Sequence, residues 1–365
     1  MKALIGGTIH RSASDEPIRG GVVLIDGDTI ASVGTEAPPA GATLIDCAGL
    51  TITAGFWNSH VHFFERKWAD AANIPAAELA AQLRDTFTRY GFTNVFDLSS
   101  PWENTRRIRE RIESGEVAGP RIRSTGEGLV PPGAVPSEQV LHAMGVMNTP
   151  LPEITDAARA GDAARKLLDA GVDGIKLFAS TPRGVPLPAG ALEAAVDEVH
   201  RAGKPVFVHP NSGADVVAAL RAGVDVIAHT TPRSGAWDVA ANGAALTPTL
   251  NLWKFFLRHD RASVQARMVD TAAEQLRAWI AAGGSVLFGT DLGAVDADPS
   301  EEYALMAAAG MSFGEILASL TTAPAERFGG SARIAGGHPA DLVVFDRELA
   351  NVRYTLRGGE IVFRR

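Results

Sequence analysis

Six side chains able to bind a metal or carry a proton sit at the ends of short apolar runs. His60-Val61-His62 closes the run 55–60, Lys176 lies within 174–178, and His209 ends 205–209. His229 ends 225–229, and Asp291 follows 285–289. In extended chain, residues i and i+2 point to one side, so His60 and His62 can present both imidazoles to a common centre. One strand-end histidine is more often a hydrogen-bonded structural group. Six such groups at one mouth form a donor set of nitrogen and oxygen that suits zinc or a similar divalent ion.

The elements that must position them are written in the apolar pattern. Eight runs, 55–60, 94–98, 122–125, 174–178, 205–209, 225–229, 244–249 and 285–289, read as strands. Stretches with helical periodicity, 76–90, 156–170, 189–202 and 263–282, separate several of them, and Gly91, Gly171, Gly203 and Gly223 stand where left-handed C-caps belong. Eight strands alternating with helices predict an α/β fold, a (β/α)8 TIM barrel, whose active site lies at the C-terminal ends of the strands. A doubly wound sheet is the competitor, but no Gly-x-Gly-x-x-Gly follows the first of these strands. The flanks differ. Residues 3–5, 21–25, 29–33 and 43–45 read as short strands, with Asp26-Gly27-Asp28 as a hairpin turn, and 341–345, 352–356 and 361–363 return to that style. The expected organisation is a small β-sandwich domain from 1–54 plus 331–365, with a metal-binding barrel at 55–330 inserted in it. The Pro-rich segment 127–152 reads as a lid or a plain surface excursion.

Composition narrows the function classes. The 365 residues are 46% hydrophobic and 21% charged, a globular balance that excludes long disorder. The net charge is −8 and no basic run occurs, so nucleic acid has no electrostatic footing as a partner. No apolar run is long enough to span a membrane, and Met-Lys-Ala-Leu-Ile-Gly-Gly is too short an apolar start for a signal peptide. A cytoplasmic protein acting on a small molecule is the expectation. With Cys47 the single cysteine, a metal would be held by imidazole and carboxylate rather than by a thiolate set.

His60-Val61-His62, Lys176, His209, His229 and Gly289-Thr290-Asp291, with the split β domain and the tail Ala340-Asp-Leu-Val-Val-Phe-Asp346, resemble the amidohydrolase superfamily over essentially the whole chain. The similarity is to the branch of imidazolonepropionase-like and prolidase-like metal hydrolases. It implies two zinc ions, or another divalent metal: His60, His62 and Asp291 hold one, His209 and His229 the other, and an N-carboxylated Lys176 bridges them. Burial and nearby cations favour the neutral lysine amine. That amine can take up carbon dioxide to give an anion suited to bridging metals about 3.5–4 Å apart. The alternative for Lys176 is a strand lysine paired to a carboxylate beside one metal. The resemblance further implies hydrolysis of a C–N bond, amide, peptide-like, urea or carbamate, by a metal-bridging hydroxide, with Asp291 as proton shuttle. Two alternatives stand: a mononuclear deaminase or cyclic-amide ring-opening hydrolase, and an inactive barrel acting as a binding protein. Related deaminases carry a glutamate soon after the strand-five histidine, whereas this chain reads His209-Pro210-Asn211-Ser212-Gly213. A prolidase-like enzyme is expected to carry a histidine after strand three, where this chain has Ser124-Thr125-Gly126-Glu127-Gly128. A homo-oligomer is implied at family level only.

Substrate-binding candidates are Phe63 and Trp68, with Phe64 between them, and Trp253 as aromatic walls. Arg183 and Arg233 could meet a carboxylate, and His142 could replace the missing histidine. For each, the competing role is loop packing or solvation. Asn58 is placed to orient a metal ligand. His10, His200, His259 and His338 read as structural or solvated.

Overall fold

Both ends of the chain contribute to one sheet. The computed structural model describes residues 1–134, 145–147, 151–231, 235, 237, 239–291, 297–346, 349 and 351–365. The N-terminal stretch forms β1 (Lys2–Ile9), β2 (Ile18–Asp26), β3 (Thr29–Gly34), β4 (Thr43–Asp46) and β5 (Thr51–Ala54). The central stretch forms β6 (Phe56–Val61), β7 (Phe92–Asp97), β8 (Arg121–Ser124), β9 (Ile175–Phe178), β10 (Val206–His209), β11 (Val226–Ile227), β12 (Ala245–Leu246) and β13 (Ser285–Val286). The tail forms β14 (Leu342–Phe345), β15 (Val352–Arg357) and β16 (Glu360–Arg364).

The terminal strands are ordered β16-β15-β14-β5-β1-β2-β3, with β4 added on β1. Hydrogen bonding joins strands from both chain ends into this single mixed eight-stranded sheet. The physical cause lies in β1, whose register shifts on both sides of Gly7. Its first half pairs with β4 and its second with β5, so both strands join one ladder system. A Cβ at Gly7 would stand 2.7 Å from the Ile52 side chain, so glycine permits the approach. The sheet has its own aliphatic core, including Leu4, Val23, Ile52, Leu342 and Val344. Cys47 is buried there, and burial pushes its thiol up to about 12, which leaves it unreactive.

The eight central runs all form strands, but not one continuous ladder. β6-β7-β8 make one parallel sheet and β9–β13 another, in place of the single closed barrel expected. At one seam the pairing partner of β9 is Leu129, beyond the end of β8. Leu129 N–H donates to Lys176 O at 2.8 Å and Phe178 N–H to Leu129 O at 2.9 Å. At the other seam Ser59 N–H donates to Phe288 O at 2.8 Å and Asp291 N–H to His60 O at 2.9 Å. Trp57, Phe96 and Leu98 from one sheet meet Phe207, Val226, Ala245 and Leu287 from the other in a shared core. Phe328, from the helix Thr322–Phe328, stacks against Trp57, Phe96 and Phe207 with ring centroids 5.0–5.8 Å apart. The outer layer is helical. Ala76–Thr86, Ala157–Asp169, Ala191–Arg201 and Ala262–Ala281 occupy the expected stretches, and Gly91, Gly171, Gly203 and Gly223 all have positive φ. No helix among the described residues is long and apolar enough to cross a membrane.

Phe328→Ala is expected to cost about 3–5 kcal/mol of stability, as large-to-small changes in a packed core do. A lower urea midpoint measures this; an unchanged midpoint would show that the ring does not join the two sheets.

Candidate metal centre

The centre is built by a register change in β6. Phe56 faces the outer core and Trp57 the space between the sheets. Strict alternation would then turn His60 outward, but the pairing with β7 shifts between Asn58 and Val61. Such an irregularity re-aims a side chain. Val61 and Phe63 go to the outer core, and His60 and His62 to the opposite side. Three sets of bonds hold this segment. The side-chain oxygen Oδ1 of Asn58 accepts His60 N–H at 3.3 Å and Thr290 N–H at 3.2 Å, while its Nδ2 donates to Thr290 Oγ1 at 2.8 Å. Buried Asp97 and Ser100 both accept Phe63 N–H, at 3.2 and 2.8 Å, and Asp97 is itself bonded by the Ser100, Thr105 and Ser124 hydroxyls. Leu98 N–H donates to Val61 O at 2.9 Å. Gly289 makes room: a Cβ there would lie 2.8 Å from His60 Cβ and closer still to the Thr247 side chain.

Among the described residues, Asp291 is the carboxylate that the His60, His62 and His229 rings share. Its Oδ1 lies 2.7 Å from His62 Nε2 and 3.4 Å from His60 Nε2, and its Oδ2 lies 3.8 Å from His229 Nδ1. Ligand atoms of His60, His62 and Asp291 all fall within 4.8 Å of one another, and all three residues are buried. The rings continue the cluster, with centroids 4.5 Å apart for His60–His229 and 4.7 Å for His209–His229. His229 Nδ1 meets Thr249 Oγ1 at 2.9 Å.

Burial sets the protonation. It holds His60 and His229 well below the usual histidine range, reinforced at His60 first by Lys176 and at His229 first by His209. His209 falls to about 4, from burial and then Lys176. Burial brings Lys176 down to about 7, against the opposing attraction of Asp291. These imidazoles are therefore neutral at pH 7, the form that ligates metal. Both ring nitrogens of His60, Nδ1 of His62 and Nζ of Lys176 are buried without a hydrogen-bond partner. Orphaned buried nitrogens are costly unless something else satisfies them, so this set fits a bound cation. Lys176 makes no salt bridge among the described residues, and Asp291 is the carboxylate whose charge acts on it.

The substrate candidates fare differently. Phe63 and Trp68 are fully buried and pack on each other and on Phe87 at 5.0–6.2 Å, so they anchor the loop rather than wall a pocket. Trp253 is half-buried, and its indole N–H donates to Thr230 Oγ1 at 2.7 Å, one residue beyond His229. Arg183 is exposed on the turn after β9. His142 and Arg233 lie outside the described residues. The aromatic side chains that do front the centre are Phe64, stacked on His62 at 4.5 Å, and Phe178, 5.0 Å from His209 and under Lys176. Each lies two residues beyond a proposed ligand, a period-2 signal that could have marked both. Thr249 and Asp97 carried no comparable signal. Of the other histidines, His200 meets Asp225 at 2.8 Å and His338 meets Ser331 at 2.6 Å. An open cavity of about 660 Å³ at the opposite strand ends, lined by His200, Lys204, Asp225 and Arg327, lies away from this cluster.

Strands in two parallel sheets with a buried imidazole–carboxylate cluster at their C-terminal ends define a barrel-type hydrolase. The amidohydrolase family model matches residues 51–362, and the chain belongs to that family. Ochratoxinase of Aspergillus niger is 23% identical over 379 residues, covering 91% of this chain and 78% of that protein. Its crystal structure superimposes with a TM-score of 0.79 at 20% identity, over 100% of this chain and 96% of that one. A prolidase solved with N-methylphosphonate-L-proline shares 25% identity over the full length of both chains, with a TM-score of 0.78. An Xaa-Pro dipeptidase with methionine in its active site superimposes at 0.83, with 22% identity and 99% coverage of both chains. The chain is a hydrolase of C–N bonds in the prolidase-like branch, with the TIM-barrel fold of its family.

Gly289→Ala pushes a methyl group into His60. It is expected to cost about 1–3 kcal/mol, as overpacking does, and to lower the metal content of reconstituted protein. Native metal content in a folded variant would show that His60 is free to move.

Proposed function

We propose that this protein hydrolyses an amide-like C–N bond of a small molecule, using two divalent cations, zinc by expectation. His60, His62 and Asp291 would hold one cation, and His209 and His229, with Lys176 as an N-carboxylated ligand, would complete the site for the second. The observation that carries this reading is the set of buried, unpartnered nitrogens of His60, His62 and Lys176 around Asp291. Bound cations supply Lewis-acid polarisation of a carbonyl and a lowered pKa for attacking water.

The chain's own groups do the rest. Lys176, with its pKa near 7, presents a neutral amine that adds to carbon dioxide and loses one proton to become the carbamate. Asp291 takes the proton released by the attacking water and delivers it to the departing amine nitrogen. Its place between the rings keeps that carboxylate at the reacting centre. Phe64 and Phe178 offer apolar walls beside the polar cluster, a combination typical of small-molecule pockets. Ser124, which ends β8, and Thr125 and Glu127 beyond it are bonded to Asp97, Ser99 and Trp102, and no histidine stands among them. Other amides, ureas and carbamates are therefore as eligible as dipeptides.

A mononuclear deaminase or ring-opening hydrolase is the second reading, favoured by one observation: the tight ligand group has three members, His60, His62 and Asp291. Metal analysis of protein purified without chelator separates the two. About two metals per chain supports the first reading, since paired metals are the hallmark of such sites; one metal supports the second. The zinc-loaded chain, screened against N-acyl amino acids, dipeptides, ureas, lactams and aryl amides, should release amine. Asp291→Asn should lose at least about 10²–10⁴-fold in kcat, the usual size of a general acid–base contribution. Full activity in that variant would end the shuttle assignment.

A further inference from the structure

Beyond the end of β12, Thr249 has φ 44° and ψ 51°, the left-handed region that a β-branched residue rarely enters. It is fully buried. Its Oγ1 lies 2.9 Å from His229 Nδ1, while the same nitrogen is 3.8 Å from Asp291, beyond hydrogen-bond reach. The turn is clasped from outside. Leu250 N–H and Asn251 N–H donate to the two carboxylate oxygens of Glu302 at 2.9 and 2.7 Å. Glu302 is fully buried on the helix Ser300–Ala308. Both donors follow Thr249 directly, so the clasp fixes the backbone that aims its hydroxyl.

Glycine would take this backbone at lower cost, because it has no Cβ to clash. Threonine brings a hydroxyl in exchange for strain. Strain of this kind persists where neighbours over-determine it, and it gathers at functional sites. A ligating histidine has its free nitrogen chosen by the bond that the other nitrogen makes.

We infer that Thr249, clasped in a strained turn by Glu302, is a positioning residue for His229: its hydroxyl engages Nδ1 and leaves Nε2 as the nitrogen free to ligate. This rests on the proposed reading of His229 as a ligand. The hydroxyl thereby sets both the tautomer and the ring plane.

The test titrates metal-depleted, full-length protein with Co²⁺ alone, followed by the visible absorption of the bound ion. Thr249→Val keeps the side-chain shape and removes the hydroxyl. It is expected to weaken Co²⁺ binding by about 10–100-fold, the usual effect of losing an outer partner of a ligand, and to change the absorption band. Thr249→Ser restores the hydroxyl and should recover most of the loss. Native affinity and spectrum in Thr249→Val overturn the inference, as does an equal loss in Thr249→Ser. Should Thr249→Val fail to fold, Thr249→Gly, which relaxes the turn and also lacks the hydroxyl, carries the same expectation. His229→Asn separates the two levels. If it binds Co²⁺ as the native chain does, the ligand role of His229 fails and the inference with it. If it loses binding while Thr249→Val does not, only the role of Thr249 fails.

Discussion

The structure depends on one electrostatic constraint: several imidazoles and a lysine amine are taken out of water around the carboxylate of Asp291. Buried cationic groups beside one another are untenable, so burial drives His60, His209 and His229 to their neutral forms and brings Lys176 near neutrality. The chain thus arrives with lone pairs instead of charges at this point. In the protein alone, the arrangement leaves nitrogens with no hydrogen-bond partner. A centre that is polar, buried and short of partners is poor packing and good coordination chemistry.

Holding such a centre together falls to residues that never touch it as ligands. Asn58 ties the backbone of His60 to that of Thr290, and so couples the two chain segments that bring His60 and Asp291 together. Asp97, loaded with hydroxyl donors, grips the amide just after His62. Gln275, fully buried in the helix Ala262–Ala281, accepts Thr231 N–H at 2.7 Å and returns a bond to Thr231 O at 3.0 Å, securing the turn after His229. Each clamp is a buried polar group with its hydrogen bonds satisfied, the condition under which such networks rigidify a site rather than weaken it.

Much of this was legible in the sequence, and the limits are physical. The eight central strands and the same-side placement of His60 and His62 follow from alternation and apolar runs, which are local signals. The left-handed glycines after four helices were equally local. The shape of the terminal sheet was not, because it turns on the irregularity of β1 at Gly7, where two strands share one neighbour. Phe63 and Trp68 read as pocket walls because they follow a metal motif, yet alternation sends Phe63 outward with Val61, and Trp68 packs against it. The same alternation pointed to Phe64 and Phe178. Thr249 and Glu302 lie far from the motifs in sequence and gain meaning only when the turn brings a hydroxyl to His229.

The pairing of β14 with β5 has a consequence for how the molecule comes into being. β5 runs almost directly into β6, the strand that bears His60, and its register on β14 matches Leu342 with Ala54. That edge of β5 finds its neighbour only after the whole central stretch has been made. Contacts so distant in sequence form late, since closing a long loop is entropically costly. The scaffold under His60 and His62 is thus completed last, and the tail acts as a keystone: during synthesis, the centre reaches its final rigidity only once the closing strands are in place.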